Sequence, residues 1–252
     1  MNKARYQLIL LRHGHSEWNL NNRFTGWTDI ALTETGLEEA ARSGRLLSRH
    51  KYYFDEVHVS TLQRTRQTAE QLLLAAKHAD IPFYSHWRLN ERHYGQLQGL
   101  NKTEISDTWG DLLTQSWWRG YSEPPPELDD DDPRHPRFEP QYSDIDPKQL
   151  PGTESLQQCQ QRLLRYWQEE IVPRVKSGKR LLVVSHGNTL RALRMHVEHL
   201  SEQEIEHIEI PSASPLVYRF NADMELLEVE WLTEDEQANS INNKAQQHID
   251  QK

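Results

Sequence analysis

The chain has 252 residues with 29 Lys or Arg against 38 Asp or Glu, a formal net charge of −9 and a pI near 5.8. That length suits one α/β domain with a real core, and the acidic balance argues against general binding of nucleic acid or anionic membranes. It leaves room for an anionic substrate in a locally cationic cleft. A hydrophobic fraction of 36% and a mean hydropathy of −0.87 predict long polar loops or a solvated tail. The single Cys159 cannot form an intrachain disulfide, and no stretch approaches membrane-spanning length. Arg12 and His13 interrupt the only apolar run near the N-terminus that imitates a leader. A cytoplasmic protein is expected.

In chain order, Leu8, Ile9, Leu10 and Leu11 form a short apolar run ending in Arg12-His13-Gly14, which reads as a buried strand feeding a loop or helix. A polar loop over residues 16–29 carries Trp18 and Trp27. Thr35 with Glu38 fits a capping box, and Leu37, Ala40, Ala41, Gly44 and Leu47 share one face of the helix that follows. Residues 56–60 alternate like a strand. Ser60 or Thr61 is placed to cap a helix carrying Arg64 and Arg66, with Leu62, Thr65, Ala69, Leu72, Leu73 and Ala76 as its apolar stripe. A further strand falls within residues 81–87.

Between residues 89 and 152 the composition changes, with Pro124, Pro125 and Pro126 together, acids over residues 129–132 and scattered glycines. A loop this long inside a compact domain is usually functional or disordered. A helix is predicted over residues 153–171, with Leu156, Cys159, Leu163 and Tyr166 inward. A second apolar run, Leu181, Leu182, Val183 and Val184, ends in Ser185-His186-Gly187-Asn188 and leads into a helix with Leu190, Leu193 and Val197 on one face. Residues 216–220 and 227–231 read as a hairpin, and residues 233–252 as a polar, disordered tail.

In a parallel sheet with right-handed crossovers the strands end at one edge, where ligands bind. His13, His186, Arg12 and Arg64 can therefore meet. A neutral imidazole is a competent nucleophile, and arginine forks neutralise phosphate oxygens. A second histidine can donate to oxygens on which charge develops. That combination suits phosphoryl transfer through a phosphohistidine. His13 with His15 is a weak metal motif, because neighbours on an extended segment point apart and no carboxylate spacing supports it.

LLRHGHSEWN resembles the signature of the histidine phosphatase superfamily. NRFTGWTDIALTETG, WRLNERHYGQLQGLNK, SHGNTLRAL and IPSASPLVYRF resemble the cofactor-dependent phosphoglycerate mutases, over residues 8–220. The resemblance implies a three-layer αβα sandwich with a mostly parallel central sheet, spanning residues 1–232 with a covering insertion at about 100–151. It implies interconversion of 3-phosphoglycerate and 2-phosphoglycerate in glycolysis and gluconeogenesis, primed by 2,3-bisphosphoglycerate, with no metal. His13 would carry the phosphoryl group beside His186. Arg12, Arg64 and Asn19 would hold it, with the Gly187 backbone close by. Thr25 and Gly26 would contact the glycerate, and Glu91 would serve as general acid and base. Tyr94, Lys102 and Arg119 would bind the second anionic end, with Asn188 also facing the substrate. Relatives form homodimers or homotetramers, and the tryptophans of this chain fit such an interface.

The chain departs from that pattern at Trp118-Arg119, where the family has two arginines. A tryptophan offers one donor and no charge, so either the distal anion is held more weakly, a neighbouring cation has taken over, or Trp118 packs. His15 stands where Glu or Gln is usual, and Ala213 where Gly is common. The alternatives are a phosphatase or bisphosphoglycerate mutase on the same fold, and a catalytically weak phospho-ligand binding scaffold.

Overall fold

The computed structural model describes residues 3–78 and 80–233, so the expected tail lies, from residue 234 on, outside the described residues. The elements are β1 (Tyr6–Arg12), α1 (Glu17–Leu20), α2 (Glu34–Arg49), β2 (Glu56–Val59), α3 (Gln63–Ala76), β3 (Phe83–Ser85), α4 (Lys102–Trp109), α5 (Asp111–Arg119), α6 (Leu156–Tyr166), α7 (Val172–Lys176), β4 (Leu181–Ser185), α8 (Gly187–Val197), α9 (Glu202–His207), β5 (Leu216–Phe220) and β6 (Leu226–Trp231). One six-stranded sheet has the order β3-β2-β4-β1-β5-β6. Its first four strands are parallel, and β5 and β6 form the antiparallel hairpin edge.

Side-chain alternation along β1 divides the core in two. Leu8 and Leu10 pack with Leu181, Val183, Leu163 and Leu190 under α6 and α8. Ile9 and Leu11 pack with Leu182, Val184, Leu47 and Leu72 under α2 and α3. Helices on both faces explain why the central strands read as continuous apolar runs, and the architecture is the expected three-layer sandwich. Among the described residues, no helix is long and apolar enough to cross a membrane.

Several local expectations shift. The cap of α2 is Thr33, whose Oγ1 accepts from the Gly36 N–H at 3.1 Å and donates to the His15 carbonyl at 3.1 Å. Neither Ser60 nor Thr61 caps α3; its first N–H, at Gln63, is met instead by the Asp29 carboxylate at 2.7 Å, from a loop distant in sequence. β2 lies between β3 and β4 and buries Glu56 and His58 along with its valines. The Glu56 carboxylate is offset by Lys179 and Arg174, and His58 Nδ1 meets the Tyr166 hydroxyl at 2.8 Å. α6 starts at Leu156 after a Ser155–Gln158 capping box, and residues 167–171 widen into a π turn.

The long insertion is not a single cover. Its first part forms α4 and α5, whereas Tyr142 and Leu150 pack against Trp27 and Trp87. The Tyr142 hydroxyl bonds Thr61 and Asn90 at 2.9 and 2.8 Å, fixing the chain just before Glu91.

Two close approaches bring α2 against the first His-Gly loop. A Cβ on Gly14 would run into the Gly36 carbonyl, and a Cβ on Gly36 into the His15 carbonyl. Both obstacles are backbone, so Gly36→Ala should lower unfolding free energy by about 1–3 kcal/mol, the usual cost of overpacking, measured by urea denaturation. Ala213 holds φ at +46° while its N–H bonds the Arg12 carbonyl at 2.9 Å. Left-handed backbone disfavours a Cβ, so Ala213→Gly should raise stability by about 0.5–1 kcal/mol in the same assay.

Candidate active site

The register of β1 against β4 pairs Arg12 with Ser185, so His13 and His186 each stand one residue beyond the last pair of a parallel ladder. The His13 N–H closes the ladder on the Ser185 carbonyl at 3.0 Å. The two imidazoles meet edge to face with ring centroids 5.1 Å apart, and both are buried.

The protonation of His13 follows from its partner. Nδ1 lies 2.7 Å from the Gly14 carbonyl, which can only accept, so Nδ1 carries the proton and Nε2 keeps its lone pair. Burial, then the charges of Arg64 and Arg12, push the His13 pKa well below the ordinary range. Burial and the field of Arg64 do the same to His186. A neutral imidazole with a free Nε2 is a nucleophile at rest. His186 Nε2 lies 2.8 Å from Ser60 Oγ, while its Nδ1 has no partner among the described residues. When the Ser60 hydroxyl donates to Nε2, the Nδ1 proton is free for an incoming oxygen.

Two arginines frame this floor with donors left over. Arg12 bonds the Ile210 carbonyl at 2.8 Å, and its Nε is buried with no partner among the described residues. Arg64 gives its terminal nitrogens to the Thr28 and Gly26 carbonyls at 2.9 and 2.8 Å, again leaving Nε unpaired. Arg64 thus holds the loop carrying Thr25 and Gly26 as well as charging the floor. Gly26 itself has φ of +56°, and a Cβ there would strike the Gln98 amide, which accepts from the Trp27 N–H at 2.7 Å. Buried donors without acceptors cost free energy unless a ligand meets them. A phosphoryl group supplies the acceptors.

Beside the floor opens a cavity of about 270 Å³. Its lining includes Arg12, Asn19, Thr25, Gly26, Glu91, Tyr94, Lys102, Arg119, Gly187 and Asn188. All thirteen site residues singled out from the sequence therefore belong to one region, with His13, Arg64 and His186 buried beneath. Asn19 spends Oδ1 on the Ser16 N–H and hydroxyl, capping α1. Glu91 Oε1 accepts from the Arg92 and Asn188 main-chain N–H groups at 2.8 and 3.2 Å, the latter at the start of α8. Its own carbonyl is held by Trp27 Nε1 at 2.5 Å and by Arg162, which is locked to Glu154 at 2.6 Å. The Tyr94 hydroxyl accepts from Asn188 Nδ2 at 2.9 Å.

Three charged lining residues, Arg23, Arg191 and Glu209, escaped the sequence reading, as did Phe24, Ile210 and Pro211, while Trp118, noted there as a departure, stands in the cavity wall. Arg191 lies one helical turn after Asn188 and bonds its Oδ1 at 2.8 Å, a spacing that could have pointed to it. Glu209 left no local signal. His15 turns away from the site, its Nδ1 3.5 Å from Glu39.

The family model of the histidine phosphatase superfamily, branch 1, matches residues 8–133 and 127–231. The chain belongs to the histidine phosphatase superfamily. Among solved structures it is similar to Bacillus stearothermophilus YhfR, with 26% identity, 88% of this chain and 94% of that one covered, and a TM-score of 0.66. The alpha-ribazole phosphatase from Shigella flexneri shares 21% identity over 90% of this chain and 96% of its own, at a TM-score of 0.64. A mycobacterial glucosyl-3-phosphoglycerate phosphatase, solved with VO3, shares 22% over 84% and 92%, at 0.61. The last two likenesses establish the shared fold. Members of this superfamily are phosphoryl-transfer enzymes, and the His13–His186 floor is built for that chemistry.

The depressed pKa values of the floor histidines have a measurable consequence. Nitrogen-15 NMR of the ligand-free protein should show His13 neutral, with Nδ1 protonated, at pH 6.5 and somewhat below. Titration at or above 6.5 would contradict the assigned tautomer and field.

Proposed function

We propose that this protein is a phosphoglycerate mutase that interconverts 3-phosphoglycerate and 2-phosphoglycerate through phosphorylated His13, primed by 2,3-bisphosphoglycerate. The observation that carries this reading is the two-ended charge of the cavity. Arg12 and Arg64 frame the histidine floor, while Lys102, Arg119 and Arg191 add further positive charge to the cavity lining. A substrate with one phosphoryl group to transfer and a second anionic group to anchor matches both ends.

In the priming step, His13 Nε2 attacks the phosphorus of the donor. The bridging P–O bond breaks, its electron pair goes to the glycerate oxygen, and that oxygen takes a proton from Glu91. In the exchange step, the free hydroxyl of a bound monophosphoglycerate attacks the phosphorus of phosphorylated His13, and Glu91 takes the hydroxyl proton. The P–N bond breaks with its electron pair returning to Nε2. The bisphosphate so formed rephosphorylates His13 through its other phosphoryl group, which leaves the isomer. Such transfers are loose, and the protein contributes mainly alignment and charge neutralisation. Oε1 of Glu91 is committed to two backbone N–H groups, whereas Oε2 has only a long 3.5 Å contact to the Asn188 N–H, so Oε2 is the working oxygen. α4 and α5 contribute Lys102, Trp118 and Arg119 to the outer wall, which favours a sugar-acid hydroxyl over water as the acceptor.

A second reading, a phosphatase in which water accepts the phosphoryl group from His13, draws support from Trp118. With Trp118 the outer wall carries one guanidinium fewer than the mutase pattern has, and fold relatives named as phosphatases are compatible with hydrolysis on this architecture. A coupled isomerisation assay, run with and without 2,3-bisphosphoglycerate alongside inorganic phosphate release, separates the two. Isomerisation that depends on the bisphosphate supports the mutase, and phosphate release without isomerisation replaces it with the phosphatase.

Glu91→Gln should still form acid-labile phosphohistidine but turn over about 10²–10⁴-fold more slowly, the usual worth of general acid–base help. His13→Ala should form none. Normal turnover in the glutamine variant would remove Glu91 from the mechanism.

A further inference from the structure

Each arginine of the cavity already spends donors on main-chain carbonyls. Arg119 bonds Glu206 and Ile208, Arg191 bonds Arg119 and Ile205, Arg23 bonds Gly99, and Arg12 bonds Ile210. Lys102 differs. Its ammonium has no hydrogen bond or ion pair among the described residues, and lies instead on two aromatic faces, 4.3 Å from the Trp118 ring centroid and 5.7 Å from that of Phe24. Trp118 is half-exposed at the cavity wall, so its ring is not there to fill the core.

The geometry points to Trp118 as a positioning residue that seats the Lys102 ammonium on its indole face, so that Lys102, with no hydrogen bond or ion pair of its ammonium among the described residues, captures the distal anionic group of the substrate. This rests on the two-ended cavity of the proposed function. An indole face attracts a cation without consuming its N–H donors, whereas a carboxylate in the same place would neutralise it. All three ammonium protons therefore remain for the ligand. A tryptophan in place of a guanidinium removes one charge and orients another.

The arrangement also makes capture sensitive to pH. Burial, and then repulsion from Arg12, lower the Lys102 pKa to about 8, with Arg119 adding to the repulsion and Glu91 opposing it. The remaining charges of the cavity lining are Arg23, Arg191 and Glu209. His13 and His186 are neutral throughout this range. Anions bind the charged ammonium, so distal capture is full well below pH 8 and is lost as pH rises through about 8.

The test is calorimetric binding in a His13→Ala background, which prevents turnover, comparing 2,3-bisphosphoglycerate with inorganic phosphate from pH 6.5 to 10. Both ligands occupy the floor, so the ratio of their affinities reports the distal end alone and normalises for folding. Trp118→Leu keeps the bulk but removes the aromatic face. Its affinity ratio at pH 7 should fall about 3- to 30-fold, and its pH break should move below that of the parent. Trp118→Phe should restore most of both. Lys102→Arg, charged throughout, should abolish the break. An unchanged ratio and break in Trp118→Leu, or a break that persists in Lys102→Arg, overturns the assignment to Trp118 and Lys102 while leaving the mutase reading intact. A parent that binds the bisphosphate no more tightly than phosphate overturns the two-ended cavity itself.

Discussion

The site depends on one backbone pairing. β1 and β4 are neighbours and parallel, in a register that ends both strands at the same level, Arg12 opposite Ser185. A one-residue slip would turn Leu8 and Leu10 from one core face to the other and separate the two histidines. Core packing therefore enforces the catalytic geometry, since the apolar burial that holds the register also fixes where the imidazoles emerge. Loop sequence alone could not place them with centroids 5.1 Å apart.

Burial does a second job by keeping those rings uncharged. An imidazolium beside Arg12 and Arg64 would be desolvated and repelled, so both histidines rest neutral, and the Gly14 carbonyl selects the tautomer that leaves His13 Nε2 free. The cations are stabilised differently. Arginine after arginine is tied to main-chain carbonyls, which preserves its positive charge while fixing its direction. Unpaired Nε atoms on Arg12 and Arg64 are the residue of that arrangement, donors held ready where an anion belongs. Preorganised charge of this kind serves phosphoryl transfer well, because little other help is needed.

Support for the site reaches far behind it. Glu91 stands on a segment whose carbonyls are gripped by Arg162, itself locked to Glu154. Arg92 binds the Trp117 and Trp118 carbonyls at 2.7 and 2.8 Å, linking that segment to the end of α5. The Glu91 carboxylate and the cationic outer wall are thus mechanically joined. The back of the insertion contributes through Tyr142, which holds Asn90 and never approaches the cavity.

Much of this was legible in the chain. Uninterrupted apolar runs before each His-Gly dipeptide specify buried parallel strands, because only a sheet covered on both faces tolerates them, and periodic stripes such as Leu62, Thr65, Ala69 and Leu72 specify helices. The thirteen residues singled out by type and motif gather in one region. Only the tertiary structure decided what lies between distant segments: Asp29 capping α3, Ser60 meeting His186, and Arg191 and Glu209 closing the cavity. It also decided the surroundings of Trp118, whose ring lies against the Lys102 ammonium from the neighbouring helix. Local pattern encodes how each residue is buried along its own element, whereas hydrogen bonds, charge fields and ring contacts between elements arise only when packing brings them together.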